Sequence, residues 1–251
     1  MDQNINRRRF LGLGLTGAAA LLAGPRLAWP AEGSGAARLE SRPGKPTQPG
    51  QVGIHKLGLA KGRDGFLSIP KSYKPEKPVP LMVMLHGARG RTDGFNAFAV
   101  GAAAMGIAVM APDSRGSTWD SILGGFGPDI AFLDRALRHT FARLAVDPRR
   151  VALAGFSDGA SYALSAGLAN GDLFSHLVAF SPGFMSPPGR QGKPAIWISH
   201  GRSDEVLPVD LSRRIVPRLK QWGYKVQYRE FDGGHTVTPE LGTEAFRWFV
   251  A

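Results

Sequence analysis

Short apolar runs alternate with longer segments of helical periodicity from about residue 51 to the C terminus, and this alternation constrains the fold more than any other feature. Runs that are apolar throughout predict parallel strands buried on both faces, with the intervening helices as cover. The sequence therefore predicts an α/β fold with a mostly parallel central sheet and helices on both faces. Predicted strands lie at residues 66–69, 79–85, 107–110, 151–154, 177–180, 195–199 and 226–231. Predicted helices lie at about 95–105, 128–144, 158–169, 210–222 and 239–249.

The chain length predicts one large folded domain. With 251 residues, 43% of them hydrophobic, the chain can bury one sizeable core but is too short for two domains of that size. We assign residues 51–251 to that domain and residues 32–50, rich in glycine, proline and charge, to a flexible linker. Only 14 residues separate the predicted strands at 177–180 and 195–199, and they include four prolines. A helical cap does not fit there, so we expect no cap domain and an open site.

The first 31 residues have the composition of an export signal. Arg7 and Arg8 precede Phe10 and Leu11, and a weakly apolar run follows to residue 24. This order resembles a bacterial twin-arginine signal, which implies export to the periplasm or beyond through the twin-arginine export machinery. A run of about 14 residues is shorter than the roughly 20 that span a bilayer, so we expect no stable membrane anchor.

Charge and composition narrow the function classes. The net charge of +11 includes four arginines in residues 1–31, and the remaining basic residues are scattered among acidic ones, which favours a solvated basic surface over a nucleic-acid site. There is no cysteine, which excludes disulfides and thiolate catalysis. No metal-binding cluster, phosphate-binding loop or dinucleotide fingerprint is present in the sequence, so we expect no cofactor and no metal.

A G-x-S-x-G sequence at residues 155–159 carries the strongest chemical signal. It follows the apolar run 151–154 directly and opens a helical pattern, which is the context of a nucleophile elbow and predicts Ser157 as nucleophile. A serine needs a base, and the base needs an acid that orients it. Asp204 and His235 each follow a predicted strand and are our candidates for acid and base. Glu205 remains an alternative acid. The other histidines are His55, His86, His139, His176 and His200. We expect His86 and His200 to brace turns, because each ends a strand ahead of a glycine.

These motifs together resemble the α/β-hydrolase superfamily, and within it the lidless carboxylesterase, phospholipase and polyhydroxybutyrate-depolymerase-like esterases. The resemblance rests on Leu85-His86-Gly87, the elbow at 155–159, the segment 200–204 with Val206 and Pro208 behind it, and Gly234-His235. It implies the chain order serine, acid, histidine, and hydrolysis of carboxylic esters through an acyl-enzyme intermediate. The absence of cysteine and of an added binding domain favours small soluble esters over an insoluble polymer.

An oxyanion that forms on the substrate needs preorganised donors. We expect the backbone amides of Asp158, at the start of the helix after Ser157, and of Ala88, in the loop after residues 79–85. The side chain of Asp158 is expected to point to solvent. Trp119, Phe184 and Met185 are candidates for a substrate pocket.

Two other functions stay open at this point. A peptidase or amidase can use the same three side chains, although it usually carries gating structure for which this chain has little room. A catalytically silent binding protein can retain the fold. A small-molecule ester substrate is the leading expectation.

Overall fold

The computed structural model describes residues 37–251, and its centre is one eight-stranded sheet in the order β1-β2-β4-β3-β5-β6-β7-β8. The strands are β1 Gly53–Lys56, β2 Gly65–Ile69, β3 Val79–Leu85, β4 Ala108–Pro112, β5 Val146–Phe156, β6 His176–Phe180, β7 Ala195–Gly201 and β8 Val226–Phe231. The helices are α1 Asn96–Ala104, α2 Asp120–Leu123, α3 Pro128–Phe141, α4 Asp158–Ala169, α5 Asp210–Gln221 and α6 Pro239–Val250, with a 3₁₀ turn at Thr92–Phe95.

The pairing within the sheet is parallel from β4 through β3, β5, β6 and β7 to β8, and antiparallel where β1 meets β2 and β2 meets β4. The prediction of a mostly parallel sheet is confirmed. The strand β1 was not predicted, because it is a four-residue edge strand whose side chains alternate between half-buried and exposed and so give no continuous apolar run. Helix α2 has four residues, too few for a periodic pattern.

Helices cover both faces of the sheet, and each face encloses its own apolar cluster. On β3, Leu81, Val83 and Leu85 belong to one cluster, whereas Met82 and Met84 belong to the other. This alternation follows from the two-residue period of a strand. Helices α3, α4 and α5 contribute to the first cluster, and α1 and α6 to the second.

Residues 37–50 lie against the domain, so the prediction of a flexible linker is wrong for this segment. Leu39 is 1% exposed, and its backbone amide donates to the side chain of Asn170 at 2.8 Å. Arg38 donates two hydrogen bonds to the carboxylate of Asp172, both at 2.9 Å. Asp134 on α3 accepts from the amide of Ser41 at 2.8 Å. These partners lie more than 90 residues away along the chain, which is why the composition of the segment did not reveal them.

The predicted signal at 1–31 lies outside the described residues. Within residues 37–251, no helix is long and apolar enough to cross a membrane. No helix interrupts residues 181–194 between β6 and β7, so this segment carries no cap domain, as expected.

Candidate active site

Ser157 lies in a sharp turn between strand β5 and helix α4. Its backbone has φ 57° and ψ −120°, a conformation that costs free energy for any residue but glycine. The amide of Ser157 donates to the carbonyl of Phe180 on β6 at 2.9 Å, which ties the turn to the neighbouring strand. Glycines on both sides allow the close approach: a Cβ on Gly155 would overlap the carbonyl of Gly159, and a Cβ on Gly159 would overlap the carbonyl of Leu85. The G-x-S-x-G spacing is therefore a packing requirement of this turn.

His235 lies beside Ser157, in the loop between β8 and α6. Its Nε2 is 2.9 Å from the Oγ of Ser157, and its Nδ1 is 2.7 Å from Oδ2 of Asp204. The ring of Phe156 packs against the imidazole with the ring centroids 4.7 Å apart. Three side chains that are distant in sequence thus form one continuous line of hydrogen-bond contacts.

Two neighbouring loops at the carboxyl edge of the sheet bring Asp204 and His235 together. The amide of Arg202 donates to the carbonyl of Phe231 at 2.9 Å, and the amide of Ser203 donates to Gly233 at 3.0 Å. Gly201 lies so close to the second loop that a Cβ there would overlap the Gly233 carbonyl. The parallel pairing of β7 with β8 places both loops at the same edge.

Asp204 is buried and accepts hydrogen bonds on both carboxylate oxygens. Oδ1 accepts from the amides of Val206, at 3.0 Å, and Leu207, at 2.8 Å. Oδ2 contacts His235 at 2.7 Å and Nε2 of His200 at 3.2 Å. Burial acts to raise the pKa of Asp204, but the hydrogen bonds from Leu207 and His235 outweigh it and hold this pKa below 3.8. The carboxylate is therefore ionised at neutral pH. The alternative acid, Glu205, is exposed.

His200 is fully buried next to Asp204. Its Nδ1 is 2.7 Å from the Oγ of Ser212, and its Nε2 is 2.6 Å from the carbonyl of Leu207. Burial lowers the pKa of His200, so the ring is neutral and Nε2 carries the proton that faces Leu207 and Asp204. Its contacts are those of a residue that braces the loop after β7.

The backbone amides of Ala88 and Asp158, the two predicted oxyanion donors, have no hydrogen-bond acceptor within residues 37–251. Asp158 begins α4, where the helix dipole favours negative charge. Ala88 is exposed, in the turn that follows β3. A Cβ on the preceding Gly87 would lie 3.2 Å from the Cβ of Ser157, which shows how closely this turn approaches the serine.

The side chain of Asp158 does not point freely to solvent, which corrects the prediction. Its Oδ2 accepts a hydrogen bond from Oγ1 of Thr118 at 2.5 Å. Thr118 belongs to the loop between β4 and α2, so the contact joins that loop to the start of α4. Sequence spacing gave no indication of a partner 40 residues away.

Two of the three candidate pocket residues are in the core. Trp119 and Met185 are each 1% exposed, and the indole Nε1 of Trp119 donates to the carbonyl of His86 at 2.8 Å. The prediction that these two residues line a pocket is therefore wrong: their apolar surface is already covered by the domain. Phe184 is half-buried and stays a candidate. Val206, which was not among the predicted pocket residues, lies two positions after Asp204 and is 65% exposed.

Comparison with known proteins gives consistent matches. Residues 129–245 match the family described as Phospholipase/Carboxylesterase. The chain is 26% identical over 228 residues to "Probable feruloyl esterase C" of Aspergillus niger, covering 77% of this chain and 82% of that protein. It is 29% identical over 178 residues to "Feruloyl esterase C" of Emericella nidulans, covering 67% of this chain and 64% of that protein.

Solved structures share the fold. Esterase PE8 superposes with a TM-score of 0.63 at 21% identity, over 79% of this chain and 99% of that one. The Bacillus cereus carboxylesterase has a TM-score of 0.59 at 18% identity, over 77% and 96% of the two chains. The strand order, the strained serine turn and the solved structures together show the α/β-hydrolase fold, and the proteins that this chain resembles in sequence are carboxylic ester hydrolases.

Proposed function

We propose that this chain hydrolyses soluble carboxylic esters through an acyl-enzyme intermediate on Ser157. The observation that carries the proposal is the unbroken line from Ser157 Oγ to His235 Nε2, at 2.9 Å, and from His235 Nδ1 to Asp204, at 2.7 Å. These separations are those of hydrogen bonds in a nucleophile, base and orienting acid.

In the first half-reaction Ser157 Oγ attacks the ester carbonyl carbon while His235 Nε2 takes the hydroxyl proton. The tetrahedral intermediate then collapses, the bond to the alcohol oxygen breaks, and His235 returns the proton to the leaving alcohol. In the second half-reaction His235 takes a proton from water, and the resulting hydroxide attacks the acyl carbon. Collapse releases the carboxylic acid and restores the hydroxyl of Ser157 with the proton from His235.

Asp204 orients the base. Its ionised carboxylate accepts from Nδ1 of His235, so the proton of the neutral ring lies on Nδ1 and the lone pair on Nε2 faces Ser157. The same carboxylate stabilises the imidazolium that forms in each transition state. We propose that the free amides of Ala88 and Asp158 bind the oxyanion, which is supported by their position beside Ser157.

For the substrate we propose esters of small and medium carboxylic acids, with aromatic acyl groups first. Support comes from two fungal relatives that carry the name feruloyl esterase C, one of them matched over 77% of this chain. The uncapped loop between β6 and β7 leaves the site open to a substrate of this size.

A fluorophosphonate probe tests whether the serine is activated. We expect stoichiometric labelling of the purified protein on Ser157 and none of Ser157→Ala. Ser203→Ala is the matched control, since Ser203 is an exposed serine in the neighbouring loop, and it should label like the wild type. A silent binding protein would not label at all, and labelling of Ser157→Ala would mean that the nucleophile is elsewhere.

Matched substrates test the ester assignment. Two esters, methyl ferulate and 4-nitrophenyl butyrate, should be assayed side by side with an anilide. The anilide carries the acyl group of the ester with which it is compared. We expect turnover of the esters and at least 100-fold lower kcat/KM for the anilide. Comparable rates on ester and anilide would favour the amidase, and a butyrate preference over ferulate would remove the aromatic substrate class.

We also propose that residues 1–31 direct export by the twin-arginine route, on the order of Arg7 and Arg8 ahead of Phe10 and Leu11. Replacement of both arginines by lysine should retain the protein in the cytoplasm of a bacterial host. Unchanged export of this double variant would contradict the proposal.

A further inference from the structure

His86 directly follows β3, in the turn that leads to Ala88, and both of its ring nitrogens have hydrogen-bond partners. It does not belong to the line of contacts from Ser157 through His235 to Asp204. It is 1% exposed. Its Nδ1 is 2.7 Å from the carbonyl oxygen of Gly87, and its Nε2 is 2.9 Å from the amide nitrogen of Ser114. Nη2 of Arg63 lies 3.3 Å from the same Nε2.

These partners determine the tautomer of His86. An amide N–H and a guanidinium N–H both face Nε2, so Nε2 presents a lone pair and the ring proton lies on Nδ1. Nδ1–H therefore donates to the carbonyl of Gly87. Burial lowers the pKa of His86, which agrees with a ring that stays neutral.

The carbonyl of Gly87 shares its peptide plane with the amide of Ala88. The structure contains no cis peptide among the described residues, and in a trans peptide the C=O and the following N–H point in opposite directions. The Gly87 carbonyl accepts from His86 and, at 3.0 Å, from the amide of Gly90. Two donors thus hold the carbonyl inside the turn, and the Ala88 N–H faces outward, where it has no acceptor within residues 37–251.

The far side of the turn is fixed as well. Arg89 has φ 56°, a left-handed conformation that is unfavourable for arginine, and its amide donates to the carbonyl of Ser117 at 2.6 Å. Two peptides lie between this anchor and the His86 side chain: His86–Gly87 and, next to the anchor, Gly87–Ala88. If that peptide rotated by half a turn, the Gly87 carbonyl oxygen would replace the Ala88 N–H beside Ser157 and would repel an oxyanion.

We infer that His86 is a positioning residue whose Nδ1–H keeps the Gly87–Ala88 peptide in the orientation that presents the Ala88 amide to the reacting carbonyl oxygen. The inference rests on the proposed function, because it needs an oxyanion next to Ser157. It predicts that loss of the Nδ1 donor lowers kcat and leaves KM nearly unchanged, since the interaction with the amide strengthens only as negative charge develops.

The matched pair His86→Asn and His86→Leu tests this inference. The two side chains have the same shape, and the asparagine amide places an N–H near the position of Nδ1 whereas leucine places a methyl group there. We expect kcat of His86→Asn within about fivefold of wild type and kcat of His86→Leu about 100-fold lower, with KM within twofold for both. Equal kcat values for the two variants, or a loss that lies mainly in KM, would overturn the inference.

A boronic acid that forms a tetrahedral adduct with the serine gives a second readout. Its affinity should fall in His86→Leu in proportion to kcat, and it should be retained in His86→Asn. Should His86→Leu fail to fold, His86→Gln replaces it, because its longer amide reaches toward Ser114 and leaves Gly87 without the donor; the same 100-fold loss is expected. Wild type that neither hydrolyses esters nor binds the boronate refutes the proposed function itself, whereas active wild type with an unaffected donor-free variant refutes only the role of His86.

Discussion

The substitution Asp204→Asn replaces one carboxylate oxygen by an NH₂ group, and its outcome follows from counting the hydrogen-bond donors that surround the side chain. Oδ1 accepts hydrogen bonds from the backbone amides of Val206, at 3.0 Å, and Leu207, at 2.8 Å. Oδ2 lies 2.7 Å from Nδ1 of His235 and 3.2 Å from Nε2 of His200. The introduced amide has one oxygen and one NH₂ group. Its oxygen is expected to remain with the two backbone amides, since those donors cannot become acceptors.

The NH₂ group then faces His235, which can respond. The imidazole can move its proton from Nδ1 to Nε2, so that Nδ1 accepts from the new amide. In that tautomer Nε2 carries a proton at 2.9 Å from the Ser157 oxygen and no longer acts as a base. We expect kcat to fall by up to about 10⁴-fold, which corresponds to about 5.4 kcal/mol of activation free energy.

Steady-state hydrolysis of a soluble ester at pH 8 measures this loss, with circular dichroism and a thermal unfolding curve to confirm that the variant is folded. Glu205→Gln is the matched control: it removes a neighbouring charge from an exposed position and should leave kcat within about twofold of wild type. If Asp204→Asn keeps more than a tenth of wild-type kcat, or if Glu205→Gln loses the larger share, the tautomer argument is refuted.

Three further predictions concern stability and the shape of the elbow. Gly159→Ala should lower the melting temperature and remove most activity, because its Cβ would overlap the carbonyls of Leu85 and His86 and lower the free energy of unfolding by about 1–3 kcal/mol. The control is Gly94→Ala, whose Cβ would meet open space, and equal melting temperatures for the two variants would contradict the packing argument. Asn170→Leu should lower the free energy of unfolding in urea by about 2–4 kcal/mol, since the side chain bonds Leu39 N at 2.8 Å and the carbonyls of Ala37 at 2.6 Å and Ala166 at 2.8 Å; a change below about 0.5 kcal/mol would mean that residues 37–39 are not docked. Stability should also fall as the pH drops below about 6.5, because burial holds the pKa of four histidines below 6.5 and the unfolded chain therefore binds protons that the folded chain does not; these are His86, His139, His176 and His200. Equal urea midpoints at pH 7.5 and pH 5.5 would contradict this sign.

The sequence predicted the parts of the fold that local pattern controls. Strand β3 was predicted at its observed bounds because a central strand is apolar on both faces, and α4 because its helical pattern begins directly after Ser157. Strand β5 begins at Val146, five residues before the predicted start, since its first part is polar and is recruited by pairing with Val79. A sequence pattern predicts a strand that is buried on both faces, but it does not show which strand a polar segment pairs with.

The structure brings Ser157, Asp204 and His235 together, and their order along the chain was the signal that selected them. The assignment of Trp119 and Met185 to a substrate pocket was wrong, because the sequence alone does not distinguish an apolar loop residue that faces a substrate from one that faces the core. The contacts of His86 depend on a peptide plane and on Ser114, 28 residues away, and no spacing rule reveals such an arrangement.

The central claim is that Ser157 becomes acylated during turnover, and intact-protein mass spectrometry of the acyl-enzyme tests it most directly. The protein is mixed with 4-nitrophenyl butyrate and quenched in acid within milliseconds, and the adduct is then mapped by peptide digestion. A mass gain of one butyryl group on the peptide that contains Ser157, a matching burst of nitrophenol and neither signal in Ser157→Ala are the expected results. An adduct on a residue other than Ser157 would contradict the account. So would steady turnover with neither adduct nor burst, if Asp204→Asn also remains active under the same conditions.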